Sequence, residues 1–322
     1  MPLGAKNHSY NLVENWAKLP ATVQLGYTHW VACDKKDQVY VFNQSKDAVA
    51  IFSKDGTFLK SWGEEFAKGA HGMWYSVENG TEYLYLCDYE IPVVAKFTLD
   101  GTEVLRLKTP PLPEIYPAGA GYKPTHVCVG PNGDIYTFDG YGKNYIHRYN
   151  AKGVHLNSWG GEGEGTGQMK CPHGGCIVVR PGKPAELYVA DRANVRVQVF
   201  TPEGVHKRFI TGQGLQYPCN VYEAHGDVYI PDLFGVVTIW GPDDTLITQL
   251  GANPEIPEIG GWPKLAGYPN LPHEQRIPGR FISPHGLGID SRRDLYVVEW
   301  VSDGRITKLA KVAAEQRGAA KS

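Results

Sequence analysis

The sequence predicts an all-β fold, a six-bladed β-propeller built from the whole 322-residue chain. Three observations carry this expectation: a tyrosine-centred strand that recurs six times, an aromatic-then-turn signal after most copies, and a histidine at one register ahead of five of the six copies. Periods of forty to fifty residues are those of propeller blades, each a four-stranded antiparallel sheet.

The tyrosine strands are Val39-Tyr40-Val41, Leu84-Tyr85-Leu86, Ile135-Tyr136-Thr137, Leu187-Tyr188-Val189, Val228-Tyr229-Ile230 and Leu295-Tyr296-Val297. Three residues after each tyrosine stands a small acid or amide: Asn43, Asp88, Asp139, Asp191, Asp232 and Glu299. The tyrosines are separated by 45, 51, 52, 41 and 67 residues.

Downstream, Phe52 precedes Asp55-Gly56, Phe97 precedes Asp100-Gly101, Tyr149 precedes Lys152-Gly153, Phe200 precedes Glu203-Gly204, and Trp240 precedes Asp243-Asp244. An aromatic end to a strand followed by a polar-glycine pair is hairpin chemistry, so each unit reads as a β-meander.

Nine to fifteen residues upstream of each tyrosine lies the expected innermost strand, with His29, His71, His126, His173, Asn220 and His285 in register. One such residue per blade at one height would form a ring on the propeller axis. The blades are expected over residues 24–66, 67–115, 116–165, 166–212, 213–250 and 281–316, the last completed by 9–17. Sealing the last blade with an N-terminal strand removes an open sheet edge. The Pro- and Gly-rich stretch 251–280 is expected to be a long loop acting as a lid over one mouth of the channel.

A net charge of −2 without clustered basic residues argues against nucleic acid or an anionic membrane as partner. Residues 1–16 contain no apolar leader core and no run approaches a transmembrane span, so the expectation is a soluble, cytoplasmic protein with a small-molecule substrate. Nothing indicates the oligomeric state. The six cysteines lack CxxC spacing and read as buried reduced thiols.

Alternate blades of a six-fold ring lie about 120° apart. His71, His173 and His285, from blades two, four and six, are therefore expected to converge on one metal ion, with His29, His126 and Asn220 as a second layer, as substrate contacts or as members of a different metal geometry, such as a four-histidine nonhaem iron site. Three imidazoles leave an open position, the arrangement of catalytic zinc, although another divalent transition metal such as iron fits the same donors. The repeated acids are expected to bind turn amides.

Asp139-Gly140-Tyr141-Gly142-Lys143-Asn144, Ser158-Trp159-Gly160 and Cys171-Pro172-His173-Gly174 resemble the peptidyl-α-hydroxyglycine α-amidating lyase branch of NHL-repeat propellers. The resemblance covers nearly the whole chain and is sharpest between Pro124 and Phe200. It implies a catalytic zinc on His71, His173 and His285, Tyr141 as the base, and carbon–nitrogen cleavage of a carbinolamide to an aldehyde and an amide. Arg192, after the acid of blade four, is expected to assist Tyr141 or to tie a loop; Tyr89 and Trp300 occupy neighbouring positions and are candidate lining residues. The chain departs from that family at Gln44, where an essential arginine stands, at Ser283, where a methionine stands, and at His126, where an aspartate stands. A neutral amide does not replace a guanidinium, so the expectation is retained metal chemistry on a changed substrate.

Two functional classes follow: a metal-dependent lyase, or hydratase or hydrolase, acting on a small polar molecule; and a noncatalytic interaction propeller, which has no need of inward histidines.

Overall fold

The six tyrosine segments form the second strands of six separate antiparallel sheets in the computed structural model, which describes residues 2–5, 7–256, 271 and 275–313. The innermost strands are Thr28–Cys33, Ala70–Glu78, His126–Val129, Pro172–Val178, Tyr222–Ala224 and Pro284–Ile289. Each contacts the innermost strands of the blades before and after it, and the sixth contacts the first, so the ring closes.

Burial explains the composition of the strands. In blade one, Val39–Asn43 and Val49–Phe52 are buried at every residue, whereas the outermost strand, Phe58–Trp62, has none buried. A middle strand is covered on both faces by adjacent blades, so it reads as a continuous apolar run and not as an alternating one. Apolar clusters fill the seams: Trp30, Phe42, Leu84, Leu86 and Phe97 between blades one and two, for example, and Cys128, Phe138, Ile146, Leu187 and Phe200 between three and four. The recurrent tyrosine lies in these seams and in four blades finds an acid for its hydroxyl. Tyr40 donates to Asp34, Tyr85 to Glu78, Tyr188 to Asp244 and Tyr296 to Asp290, at 2.7–3.2 Å. Large apolar area with a satisfied polar tip is what a buried tyrosine requires.

The turns follow the expected chemistry. Gly56 and Gly101 have φ of 83° and 94°, and in blade five Asp244 takes the left-handed turn position at φ 62°.

Blade six is sealed by the N-terminal segment as expected, with one strand more. His8–Val13 pairs with Arg305–Lys311 in the register Tyr10 to Lys311 and Val13 to Lys308, and Leu3–Ala5 adds a fifth strand outside it. Trp16 lies beyond the pairing, yet its ring sits 5.7 Å from that of Phe52 and 5.0 Å from that of Tyr296, bridging blades one and six. The expected lid over 251–280 falls largely outside the described residues; Ile256 packs against Ile282 and Val301. No helix among the described residues is long and apolar enough to cross a membrane.

If His8–Val13 holds the ring closed, Tyr10→Ala, which empties a fully buried site in the seam with blade five, lowers stability by about 3–5 kcal/mol. Urea denaturation measures this; an unchanged midpoint would mean that the seal is dispensable.

Candidate active site on the propeller axis

Each histidine of the site projects from a local fault in its sheet. Thr28 pairs with Asn43 and Trp30 with Phe42, which leaves His29 as the extra residue between two consecutive partners. The same shift places His173 between the Pro172–Asp191 and Gly174–Ala190 pairs, and His285 between Pro284–Glu299 and Gly286–Val298. His71 lies in the shift between Ala70–Asp88 and Met73–Leu86. A bulge of this kind re-aims one side chain, here toward the axis.

The repeated acids pin the chain that leads into these bulges, as the sequence suggested. Asp191 accepts from the Lys170 amide at 2.7 Å, Asp232 from the amides of Gln216 and Tyr217 at 2.8 Å, and Glu299 from those of Ile282 and Ser283 at 2.6 and 3.2 Å. Asn43 accepts from Gly26 at 3.0 Å.

Blades three and five differ from the register expected from sequence by one residue. Pro218 bridges Asp232 just as Pro172 pairs with Asp191, so Cys219, not Asn220, corresponds to His173. The Thr125 amide donates to Phe138 and the Cys219 amide to Pro231, in each case the residue before the acid, so Thr125, not His126, is the counterpart in blade three. The ring at one height is therefore His29, His71, Thr125, His173, Cys219 and His285. The Pro124-Thr125-His126 and Pro218-Cys219-Asn220 tripeptides, aligned on their prolines with Pro172-His173-Gly174, carry this register. His126 and Asn220 form the next layer, where glycines make room: a Cβ on Gly72 would lie 2.7 Å from His126 Nδ1, one on Gly174 2.6 Å from the Asn220 amide, and one on Gly286 2.9 Å from the Trp30 Cα. The His126 ring stacks 4.5 Å from Trp30 and takes no part in the histidine cluster.

His71, His173 and His285 converge as expected, with ring centres 4.7, 4.8 and 4.9 Å apart. Imidazoles sharing one ion at a metal–nitrogen distance of ~2.1 Å have centres about 5 Å apart. Each ring is held by the next blade through a backbone carbonyl: His71 Nδ1 to Thr125 at 2.6 Å, His173 Nδ1 to Cys219 at 2.7 Å, and His285 Nδ1 to His29 at 3.0 Å. A carbonyl only accepts, so in a neutral ring the proton is on Nδ1 and Nε2 presents a lone pair.

The consequence is a shortage of protons. The Tyr141 hydroxyl lies 3.2 Å from His71 Nε2 and 3.1 Å from His173 Nε2, and has one hydrogen for two acceptors. A cation among the nitrogens removes this conflict, so the donors fit a metal ion. Burial, reinforced by neighbouring histidines, lowers the protonation of His71 strongly; burial, Arg192 and the other histidines do the same for His173. Burial pushes His285 down to about 3. Neutral imidazole is the form that a metal takes. Two groupings have one ligand atom per residue within 4.8 Å of each other: His29, His71 and His285, and His173, Cys219 and His285.

Tyr141 is delivered by a loop clamped on both sides. Asp139 accepts from the amides of Lys123 at 2.7 Å and Lys143 at 2.6 Å, and from the Tyr116 hydroxyl at 2.7 Å. The Tyr141 residue is 38% exposed, so its hydroxyl reaches the histidines while the ring meets the mouth. Arg192, buried, directs Nη2 at the Tyr141 hydroxyl from 3.5 Å, and its Nε has no hydrogen-bond partner among the described residues. Burial raises the Tyr141 phenol and Arg192 opposes this.

Tyr89 lines the site, with its ring 5.8 Å from His71 and 5.5 Å from Tyr141, and Gln44 donates to its hydroxyl at 3.0 Å. Trp300 packs 5.6 Å from Tyr27 and, among the described residues, makes no ring contact with a histidine. Ser283 donates to the Trp300 carbonyl at 2.7 Å, a role within blade six. Sequence reasoning missed Cys219, whose signal was Pro218 ahead of it, and Tyr217, whose ring lies 5.1 Å from the Arg192 guanidinium. All six cysteines are free thiols, and burial pushes that of Cys219 up to about 12.

Comparison with known proteins places the chain among propellers. No family model matches it. Human NHL repeat-containing protein 3 is 27% identical over 202 residues, 59% of this chain and 56% of that protein, so the match spans little more than half of the relative's length. Among solved structures, a gluconolactonase from Xanthomonas campestris aligns with a TM-score of 0.64 at 14% identity, over 96% of this chain and 95% of its own. A virginiamycin B lyase from Staphylococcus aureus aligns at 0.58 and 12%, over 94% and 100%, and a luciferin-regenerating enzyme at 0.57 and 11%, over 90% and 93%. These likenesses establish the fold.

The buried histidines set an acid limit on the metal-free protein. His29, His71, His126, His147, His173 and His285 are all held below the usual imidazole value, chiefly by burial. Above an unfolded value of ~6.5 the shift has no effect on stability; below it the unfolded chain binds protons that the folded one refuses, at up to about 1.4 kcal/mol per histidine per pH unit. For His126, His147 and His285 the loss continues down to about 3. The buried acids Asp88, Asp139 and Asp232, raised by burial, work in the opposite direction but are fewer. Urea midpoints of metal-free protein are expected to fall steadily from pH 6.5 to 4; a flat profile would contradict neutral burial.

Proposed function

We propose that the protein is a metal-dependent lyase that cleaves a carbon–nitrogen bond in a small polar carbinolamide. The observation that supports this reading is the Tyr141 hydroxyl set 3.1–3.2 Å from the Nε2 atoms of two axial histidines whose Nδ1 protons are committed to backbone carbonyls. His71, His173 and His285 would hold the ion, zinc or another divalent transition metal such as iron; when bound, it acts as a Lewis acid toward a substrate oxygen.

The remaining chemistry belongs to the chain. As the phenolate, Tyr141 would take the carbinol proton, the released electron pair would form the carbonyl of the aldehyde as the carbon–nitrogen bond breaks, and Tyr141 would return that proton to the departing amide nitrogen. Arg192, with its guanidinium carbon 5.4 Å from the Tyr141 ring centre, favours negative charge on that oxygen. Gln44, neutral and donating to Tyr89 and to the Ala70 carbonyl, offers substrate no positive charge, which is the reason to expect a substrate other than a peptidyl hydroxyglycine.

Metal analysis of purified protein and of His173→Ala tests the ligand set. The wild type is expected to hold an ion that the variant lacks, and equal content in both would remove the reading. Tyr141→Phe is expected to keep the metal and lose turnover by roughly 100-fold or more, the range of a general base. Glyoxylate release from an α-hydroxyglycine peptide separates the family reaction from cleavage of a different carbinolamide.

A further inference from the structure

The fourth histidine of the axis has no structural task. His29 is 2% exposed, and neither ring nitrogen makes a hydrogen bond among the described residues. Its backbone carbonyl is engaged, accepting from His285 Nδ1, so the residue already serves the site by its main chain alone. At the same register the other odd blades do this with Thr125 and Cys219, neither of which adds an imidazole. A buried ring with two unsatisfied nitrogens costs stability unless something repays it. The ring lies 4.6 Å from both His71 and His285, and one nitrogen of each of the three falls within 4.8 Å of the others.

We propose that His29 is a fourth imidazole ligand of the axial ion, and that the resident metal is a first-row transition ion accepting five or six ligands, such as Fe²⁺, and not zinc. The proposal rests on the metal reading above and deepens it. Four protein ligands close a zinc site, which takes four in structural positions and three where catalysis keeps one open. The mouth with Tyr141 and Arg192 needs an open position, which an ion of higher coordination number retains beside four imidazoles. Cys219 is the competing donor, grouped with His173 and His285, but it lies beside the Arg192 charge. The Gln44 amide beside His29 donates to Tyr89 and to the Ala70 carbonyl, which leaves the His29 ring available.

X-ray absorption of the Co²⁺-loaded full-length protein counts the imidazoles directly. The wild type is expected to show four, a coordination number above four and weak visible bands, and His29→Ala to show three with at least tenfold weaker Co²⁺ binding. Three imidazoles in the wild type, or a tetrahedral ion with the intense visible bands of four-coordination, would overturn the proposal while leaving the three-histidine site intact. A sulfur in the coordination shell would assign the fourth position to Cys219 and overturn it equally. Binding of no Co²⁺ by the wild type would remove the metal reading itself. Should His29→Ala fail to fold, the wild-type count alone decides.

Discussion

Three hydrogen bonds across blade seams set the character of this propeller. The Nδ1 atoms of His71, His173 and His285 are each spent on a carbonyl of the following blade, so three buried rings with centres 4.7–4.9 Å apart keep Nε2 free to accept. Buried lone pairs without donors are costly, and a cation could satisfy them. The bulges that lift the histidines out of their ladders and the acids that fix the entering chain serve that convergence.

A six-fold body is thus used with three-fold logic. Even blades present His-Gly, the imidazole toward the axis and the glycine making room; odd blades return a carbonyl and fill the room with Trp30, His126 or Asn220. The odd blades are free to vary the side chain at that height, because their contribution is main chain. Threonine, cysteine and histidine all occur there, which makes His29 a choice of this sequence and not a demand of the fold.

Much of the architecture was legible because it is periodic. The tyrosine strand, its acid and its turn repeat at blade length, and each has a physical cause: a seam to fill, an incoming chain to pin, a hairpin to close. The convergence of the even-blade histidines also followed from period alone, while Tyr141 was singled out by the resemblance to amidating lyases. Register was harder. Histidine drew the alignment of blade three to His126, and amide chemistry that of blade five to Asn220, although the preceding prolines mark Thr125 and Cys219. The carbonyl partners were invisible for a simpler reason: every residue has one, and only coordinates tell which is aimed at a ring. The second N-terminal strand, Leu3–Ala5, was missed because three residues carry no period.

Nitrogen-15 spectra of the histidine rings, recorded with and without bound ¹¹³Cd²⁺, test the central claim most directly. His71, His173 and His285 should be Nδ1-protonated in the metal-free protein, with their Nε2 signals shifted and coupled to cadmium on loading. Nε2-protonated rings, or Nε2 signals indifferent to the metal, would contradict the account.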